Sequence, residues 1–180
     1  MIYSHRTAIR RNGPSKPIQL VFSRGLVPST GRILDFGCGY GEDVQWLRTK
    51  SYAEVVGYDS YTHCAHGGPV KGTFGLVMLT YVINTLETRE KRRAVIREVW
   101  GHLENGGHLV ISSRTKGDIK RNAQQNNWKP WREGYVTSRN TFQEGHTNAE
   151  ILELAQELPN SLPKPAKTGG GFSAAILMHN

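Results

Sequence analysis

The stretch from Ile33 to Val44, ILDFGCGYGEDV, constrains the fold of this chain more than any other. A short apolar run stops at Gly37, passes through Gly39 and Gly41, and continues into the helix-like EDVQWLR. A strand that ends in a glycine turn and feeds a helix is how a nucleotide-type ligand is seated in an α/β fold. Downstream, AEVVGYD, TFGLVMLTYV, GGHLVISS and the C-terminal GFSAAILMHN read as further strands. Strands alternating with helices predict a mostly parallel sheet with helices on both faces.

The helices carry their own punctuation. In PSKPIQLVFSRG, Ser15 is placed to cap, Pro17 sits in the first turn and Gly25 stops the element. TREKRRAVIREVWGHL is amphipathic, with Val95, Ile96, Val99 and Leu103 on one stripe. Thr147 and Glu150 have capping-box spacing before the apolar stripe of EILELAQEL. Residues 1–31 are expected to form a loose basic arm and a helix, and residues 114–146 a long loop without clear periodicity. Loops of that length in a compact domain are usually functional. At 180 residues the chain is expected to be one domain.

Charge is uneven. The formal net charge is +8, and the segment before Asp35 holds six Lys or Arg (Arg6, Arg10, Arg11, Lys16, Arg24, Arg32) with no acid. A second basic stretch runs from Arg114 to Arg139 and interleaves with Trp128, Trp131 and Tyr135. Basic residues beside aromatic rings suit phosphate-bearing partners and stacked bases; the same residues also serve as a solvated face with anchoring aromatics. No apolar run approaches the roughly 20 residues of a membrane span, and the first residues lack the apolar core of a secretory signal. Two cysteines, Cys38 and Cys64, make no disulfide framework. A cytoplasmic protein without membrane partners is expected.

The glycine spacing narrows the ligand. A dinucleotide fingerprint needs G-x-G-x-x-G to close over a pyrophosphate, whereas here Gly37, Gly39 and Gly41 alternate as G-x-G-x-G. Asp35 adds a carboxylate at the strand tip, suited to an ammonium group such as the amino-acid end of S-adenosylmethionine. Asp59 ends the next strand, where it can accept both hydroxyls of an unphosphorylated ribose. ILDFGCGYG followed by VVGYD resembles the first two motifs of the class I S-adenosylmethionine-dependent methyltransferases. The resemblance implies a Rossmann-like sheet of seven strands with an antiparallel last strand, and S-adenosylmethionine as cofactor. It assigns Asp35, Gly37, Gly39 and Gly41 to the methionine part and Asp59 to the ribose, with Cys38 and Ser60 also in contact with the cofactor. SHRTAIRRNGPSKPIQL, LTYVINTLE and GYVTSRNTFQEGHT are in turn similar to the methyltransferases encoded beside DNA phosphorothioation systems, which are typically longer. Fourteen residues between Asp59 and Phe74 are too few for the usual helix plus third strand, so the sheet is expected to be reduced there.

The acceptor side is less marked. DNA amino-methylating enzymes carry an Asp/Asn/Ser-Pro-Pro-aromatic turn after the fourth strand, where this chain has TYVINTLE, and neither cysteine follows a proline as a cytosine C5 nucleophile does. Tyr81 and Asn84 at the end of the LVML strand are the candidates to orient an acceptor, with His63 as an available base. His63, Cys64 and His66 lack a fourth ligand at a recognised spacing, so no metal is expected. Arg114, Lys120, Arg121, Trp128 and Trp131 are expected to hold the substrate. A single strand or unpaired base of a nucleic acid, or a nucleotide-like molecule, leads as acceptor. A small-molecule O- or N-methyltransferase and a non-catalytic cofactor-binding partner protein are the alternatives.

Overall fold

The computed structural model describes residues 2–28, 31–50, 52, 54–61, 69–164, 166, 168 and 170–180. Its framework is Lys16–Ser23 (α1), Ile33–Phe36 (β1), Glu42–Thr49 (α2), Val55–Tyr58 (β2), Phe74–Thr80 (β3), Arg89–Trp100 (α3) and Leu103–Ser113 (β4). Every residue of β1 and β3 is buried, the pattern of parallel strands covered on both faces. Ser15 caps α1 by accepting from Ile18 N–H, and Thr88 caps α3 by accepting from Lys91 N–H. After β4 come Lys116–Gln125 (α4), Lys129–Trp131 (β5), Gly134–Val136 (β6), Phe142–Gln143 (β7), Asn148–Leu154 (α5), Ser161–Lys164 (β8) and Ser173–His179 (β9).

The central sheet has the order β2-β1-β3-β4-β9-β8. Pairings among the first four strands are parallel, while β9 runs antiparallel to β4 from His108↔Met178 to Ser113↔Ser173. This is a Rossmann-like arrangement with an antiparallel C-terminal strand, as the motif resemblance implies. Successive residues of β3 face opposite ways. Val77 and Leu79 join Ile96, Val99 and Ile151 in one apolar cluster, and Leu76 and Met78 join Ile18, Val21, Val44 and Leu47 in the other. The helices therefore cover both faces.

Among the described residues the central sheet has six strands with β2 at its edge, the reduction expected from the short connection between Asp59 and Phe74, part of which lies outside the described residues. Several expectations change. Leu103 belongs to the sheet rather than to the α3 stripe: it pairs with Phe74, and a register shift before His108 lets β4 absorb Glu104 to Gly107. The segment 114–146 is α4 followed by the antiparallel meander β5-β6-β7. Only Ile119 and Ala123 of α4 are buried, too few to register as a stripe, and the turns use Arg132 and Asn140 at φ 52° and 55° instead of glycine. The N-terminal arm is tied down at both ends. Tyr3 N–H donates to Asn140 O (2.8 Å), and Arg11 Nη1 donates to Asp43 Oδ1 (3.2 Å). Among the described residues no helix is long and apolar enough to cross a membrane.

Candidate functional site

Parallel pairing puts the C-terminal ends of β1, β2, β3 and β4 on one edge of the sheet, and a cavity of about 1030 Å³ opens there. The glycine turn forms its floor. Gly37, Gly39 and Gly41 all have positive φ (80°, 57° and 80°), a conformation that L side chains rarely adopt. At Gly37 and Cys38 the N–H groups donate to Tyr58 O, and Gly41 N–H donates to Cys38 O, so the turn is folded back onto the end of β2. A Cβ at Gly37 would stand 2.3 Å from Val82 Cγ2. Asp59 braces the same turn: Oδ2 accepts from Gly39 N–H (3.1 Å) and Oδ1 from Tyr61 N–H (2.9 Å).

Asp35 is different in kind. It is buried at the end of β1, and its Oδ1 makes no hydrogen bond. Burial, reinforced by the neighbouring Asp43 carboxylate and opposed by Arg11, pushes its carboxyl up to about 8. An ammonium ligand would complete an unpartnered buried carboxyl beside a glycine turn, so the residues present fit the methionine end of the cofactor that the motif resemblance names.

The opposite wall carries Tyr81 and Asn84. Tyr81 follows β3 at φ 57° with its N–H on Ser112 O (3.1 Å). A non-glycine residue held there costs on the order of 1–3 kcal/mol, and such strain concentrates at functional sites. Burial pushes its hydroxyl up to about 12, which keeps it a neutral donor. Asn84 is 2% exposed within a single 3-10 turn; its Nδ2 donates to Gln143 Oε1 (3.1 Å), and its Oδ1 has no partner. Arg114 enters from the end of β4, where its Nε donates to Asp118 Oδ2 (2.7 Å) and its guanidinium lies over Trp128.

Of the residues expected from sequence, Asp35, Gly37, Cys38, Gly39, Asp59, Ser60, Tyr81, Asn84 and Arg114 line this one cavity. Gly41 instead caps α2 behind the turn. Lys120 lines a second cavity of about 520 Å³, on the α5 side of β7, and Arg121 is exposed on α4. Trp131 packs its edge on Phe142 under Arg132, away from the main cavity. His63, Cys64 and His66 lie outside the described residues, and among those described no cluster is suited to a metal ion.

Sequence reasoning missed Gln143, Asp118, Asn122 and Arg11, all of which line the cavity. Asp118 and Asn122 stand four residues apart on a helix, a spacing that could have been read; Gln143 carries no local signal. Also unread was a buried line of polar groups beneath Asn84. Arg92 donates to the carbonyls of Ile83 and Leu86 and pairs with Glu144. His146, next along, shares a hydrogen bond with Ser113 Oγ (2.8 Å). Burial, helped by the Arg92 charge, lowers His146 to about 4, so it is neutral at physiological pH.

Comparison with known proteins agrees with this geometry. No curated protein sequence matches the chain. Solved structures do. A SAM-dependent methyltransferase from Methanosarcina mazei is 15% identical, with 87% of this chain and 95% of that one covered at a TM-score of 0.61. The N-methyltransferase NodS from Bradyrhizobium japonicum WM9, in complex with S-adenosyl-L-homocysteine, is 16% identical over 91% of this chain and 84% of its own (TM-score 0.54). The 1,6-didemethyltoxoflavin-N1-methyltransferase of Burkholderia thailandensis is 13% identical over 90% and 75% respectively (TM-score 0.63). The model of the methyltransferase domain family matches residues 7–155. The chain thus belongs to the methyltransferase domain family and is a methyltransferase.

Proposed function

We propose that the enzyme transfers the methyl group of S-adenosylmethionine to an N–H group of a small polar molecule held between Asn84 and Arg114. The single observation that carries the acceptor reading is Asn84 Oδ1. It is buried at the cavity wall without a partner, while Gln143 fixes the other end of the same amide. An unsatisfied carbonyl of this kind costs on the order of 1–3 kcal/mol, and an acceptor N–H would recover it. The cavity is of the size that encloses small ligands, and residues of the N-terminal arm, Thr7, Ala8 and Ile9, cover part of it as a lid.

The cofactor supplies an electrophilic methyl on a sulfonium and leaves as the thioether S-adenosylhomocysteine. The protein's task is orientation. Asp35 takes the ammonium, Asp59 the ribose, and the glycine turn leaves room for the chain between them. Asn84 would accept from the acceptor N–H and so orient the nitrogen lone pair towards the methyl. The bound cofactor would supply that methyl and keep the bond's electron pair on sulfur, and the methylated nitrogen would lose its proton to solvent. Tyr81, neutral at this pH, is a donor on the same wall rather than the base.

A nucleic-acid acceptor is the second reading. Lys116, Lys120 and Arg121 of α4 are exposed, as are Lys129 and Arg132 beside Trp131, a basic surface with a partly exposed ring. The likeness of GYVTSRNTFQEGHT to the methyltransferases of DNA phosphorothioation systems supports it. It ranks second because Lys120, Arg121 and Trp131 stand off the cavity. Incubation with labelled S-adenosylmethionine and, separately, a small-metabolite extract, DNA and RNA distinguishes the two. Label in small N-methylated products, lost in Asn84→Ala, is expected. Label confined to a polynucleotide would replace the first reading with the second, and label in nothing would refute both.

A further inference from the structure

On the acceptor side the cavity is lined by three side chains that hold one another, Arg114 from the end of β4 and Asp118 and Asn122 from α4. Arg114 Nε donates to Asp118 Oδ2 (2.7 Å), and Asp118 Oδ1 accepts from Asn122 Nδ2 (3.0 Å), so both carboxylate oxygens are engaged. The guanidinium carbon stands 5.9 Å from the centroid of the Trp128 ring. A guanidinium carries five N–H donors in a planar fork. Asp118 takes the one on Nε, and the Nη donors make no hydrogen bond or ion pair. The backbone sets the span between this fork and Asn84. Asn84 O accepts from Glu144 N–H (2.9 Å) and Arg114 O from His146 N–H (3.0 Å). The two residues are thus fastened two positions apart on one segment, no more than about 7 Å along it.

We infer that the methyl acceptor carries a carboxylate or phosphate group, which Arg114 grips through its Nη fork while Asn84 takes the N–H to be methylated. Either group presents two oxygens in a plane that matches the fork, and such paired hydrogen bonds are both directional and strong. The Asp118 contact uses the opposite edge of the guanidinium and persists when the anion is bound. It also offsets the net charge, so recognition comes from directed hydrogen bonds rather than from a diffuse positive field. A guanidinium fixed beforehand by Asp118 and Trp128 loses little freedom on binding. The short span between the two fastening points places the acid group a few bonds from the nitrogen. Arg114 is then a specificity-determining residue that selects compact N–H acids over other amines. The inference rests on the small-acceptor reading above.

Small metabolites, freed of polymer by ultrafiltration, are split on an anion exchanger at about pH 11, where amines are neutral and carboxylates and phosphates stay charged. The full chain is given each pool with labelled S-adenosylmethionine. Label is expected in the retained, acidic pool. Phosphatase treatment of that pool beforehand separates the two groups: lost label assigns a phosphate, surviving label a carboxylate. For the labelled acceptor, Arg114→Gln should raise KM about 10- to 100-fold, the range for hydrogen bonds between charged groups, and lower kcat far less. Arg114→Lys keeps the charge without the fork and should recover only part of that loss. Affinity for S-adenosylhomocysteine should stay within about twofold in both variants. Label confined to the unretained pool, a KM that Arg114→Gln leaves unchanged, or a cofactor affinity that falls as far as the acceptor's would overturn the acidic acceptor. Label in neither pool would refute the small-acceptor reading itself, a result distinct from label in the unretained pool.

Discussion

Asp35 gives the most quantitative prediction. Its carboxyl, at about 8 in the ligand-free protein, is mostly protonated at neutral pH. To hold an ammonium it must ionise, so cofactor binding should release close to one proton per site at pH 7. The apparent affinity then carries the fraction ionised, 1/(1 + 10^(8 − pH)) with that value, which rises roughly 25-fold from pH 6 to 7.5. Calorimetry of S-adenosylhomocysteine in buffers of differing ionisation enthalpy reads both quantities. Stability should move the other way in the free protein. The folded state binds the extra proton between the unfolded value of 3.8 and about 8, so the ligand-free protein loses stability as pH rises through that window. Asp35→Asn should abolish the affinity slope and flatten the stability profile. Affinity independent of pH from 6 to 7.5, with no proton released, would refute the claim that this buried carboxylate meets the ammonium.

Two other perturbations separate structure from recognition. Arg92→Met strips Glu144 of its partner and leaves Ile83 and Leu86 carbonyls without their donor, so it should cost about 3–5 kcal/mol in denaturant unfolding. The loss should grow with pH, because Glu144 without Arg92 is harder to ionise; a change below about 1 kcal/mol would contradict the clamp. Lys120→Ala with Arg121→Ala should leave cofactor affinity within about twofold and turnover of a small acceptor unchanged, as for exposed residues off the cavity. If it instead weakens binding to a polynucleotide and flattens its salt dependence, the nucleic-acid reading gains.

What the sequence revealed was local, and what it hid was distant. The turn at Gly37, Gly39 and Gly41 and the capping box at Thr147 and Glu150 are written within a few residues, and both form as read. Strand β8 was invisible because SLPK has one half-buried residue and three exposed ones. Helix α4 packs on two apolar side chains and could not be told from a loop. The cavity's defining contacts join residues far apart in the chain: Asn84 with Gln143 across 59 positions, and Arg11 with Asp43 across 32. No periodicity encodes such pairs, so Tyr81 and Asn84 could be nominated from the strand end, but Gln143 and Arg11 could not.

Calorimetric titration with S-adenosylmethionine and S-adenosylhomocysteine, of the wild type and of Gly39→Arg, tests the central claim most directly. At φ 57° a side chain is strained, and the first carbon would already sit 3.5 Å from Ala8 Cβ of the arm. The rest of an arginine must fill the space between arm and turn, the site proposed for the cofactor. The wild type should bind both compounds at one site and Gly39→Arg neither, with folding retained by circular dichroism. Equal binding by both proteins, or a preference of the wild type for NAD over either compound, would contradict the assignment of this turn to S-adenosylmethionine.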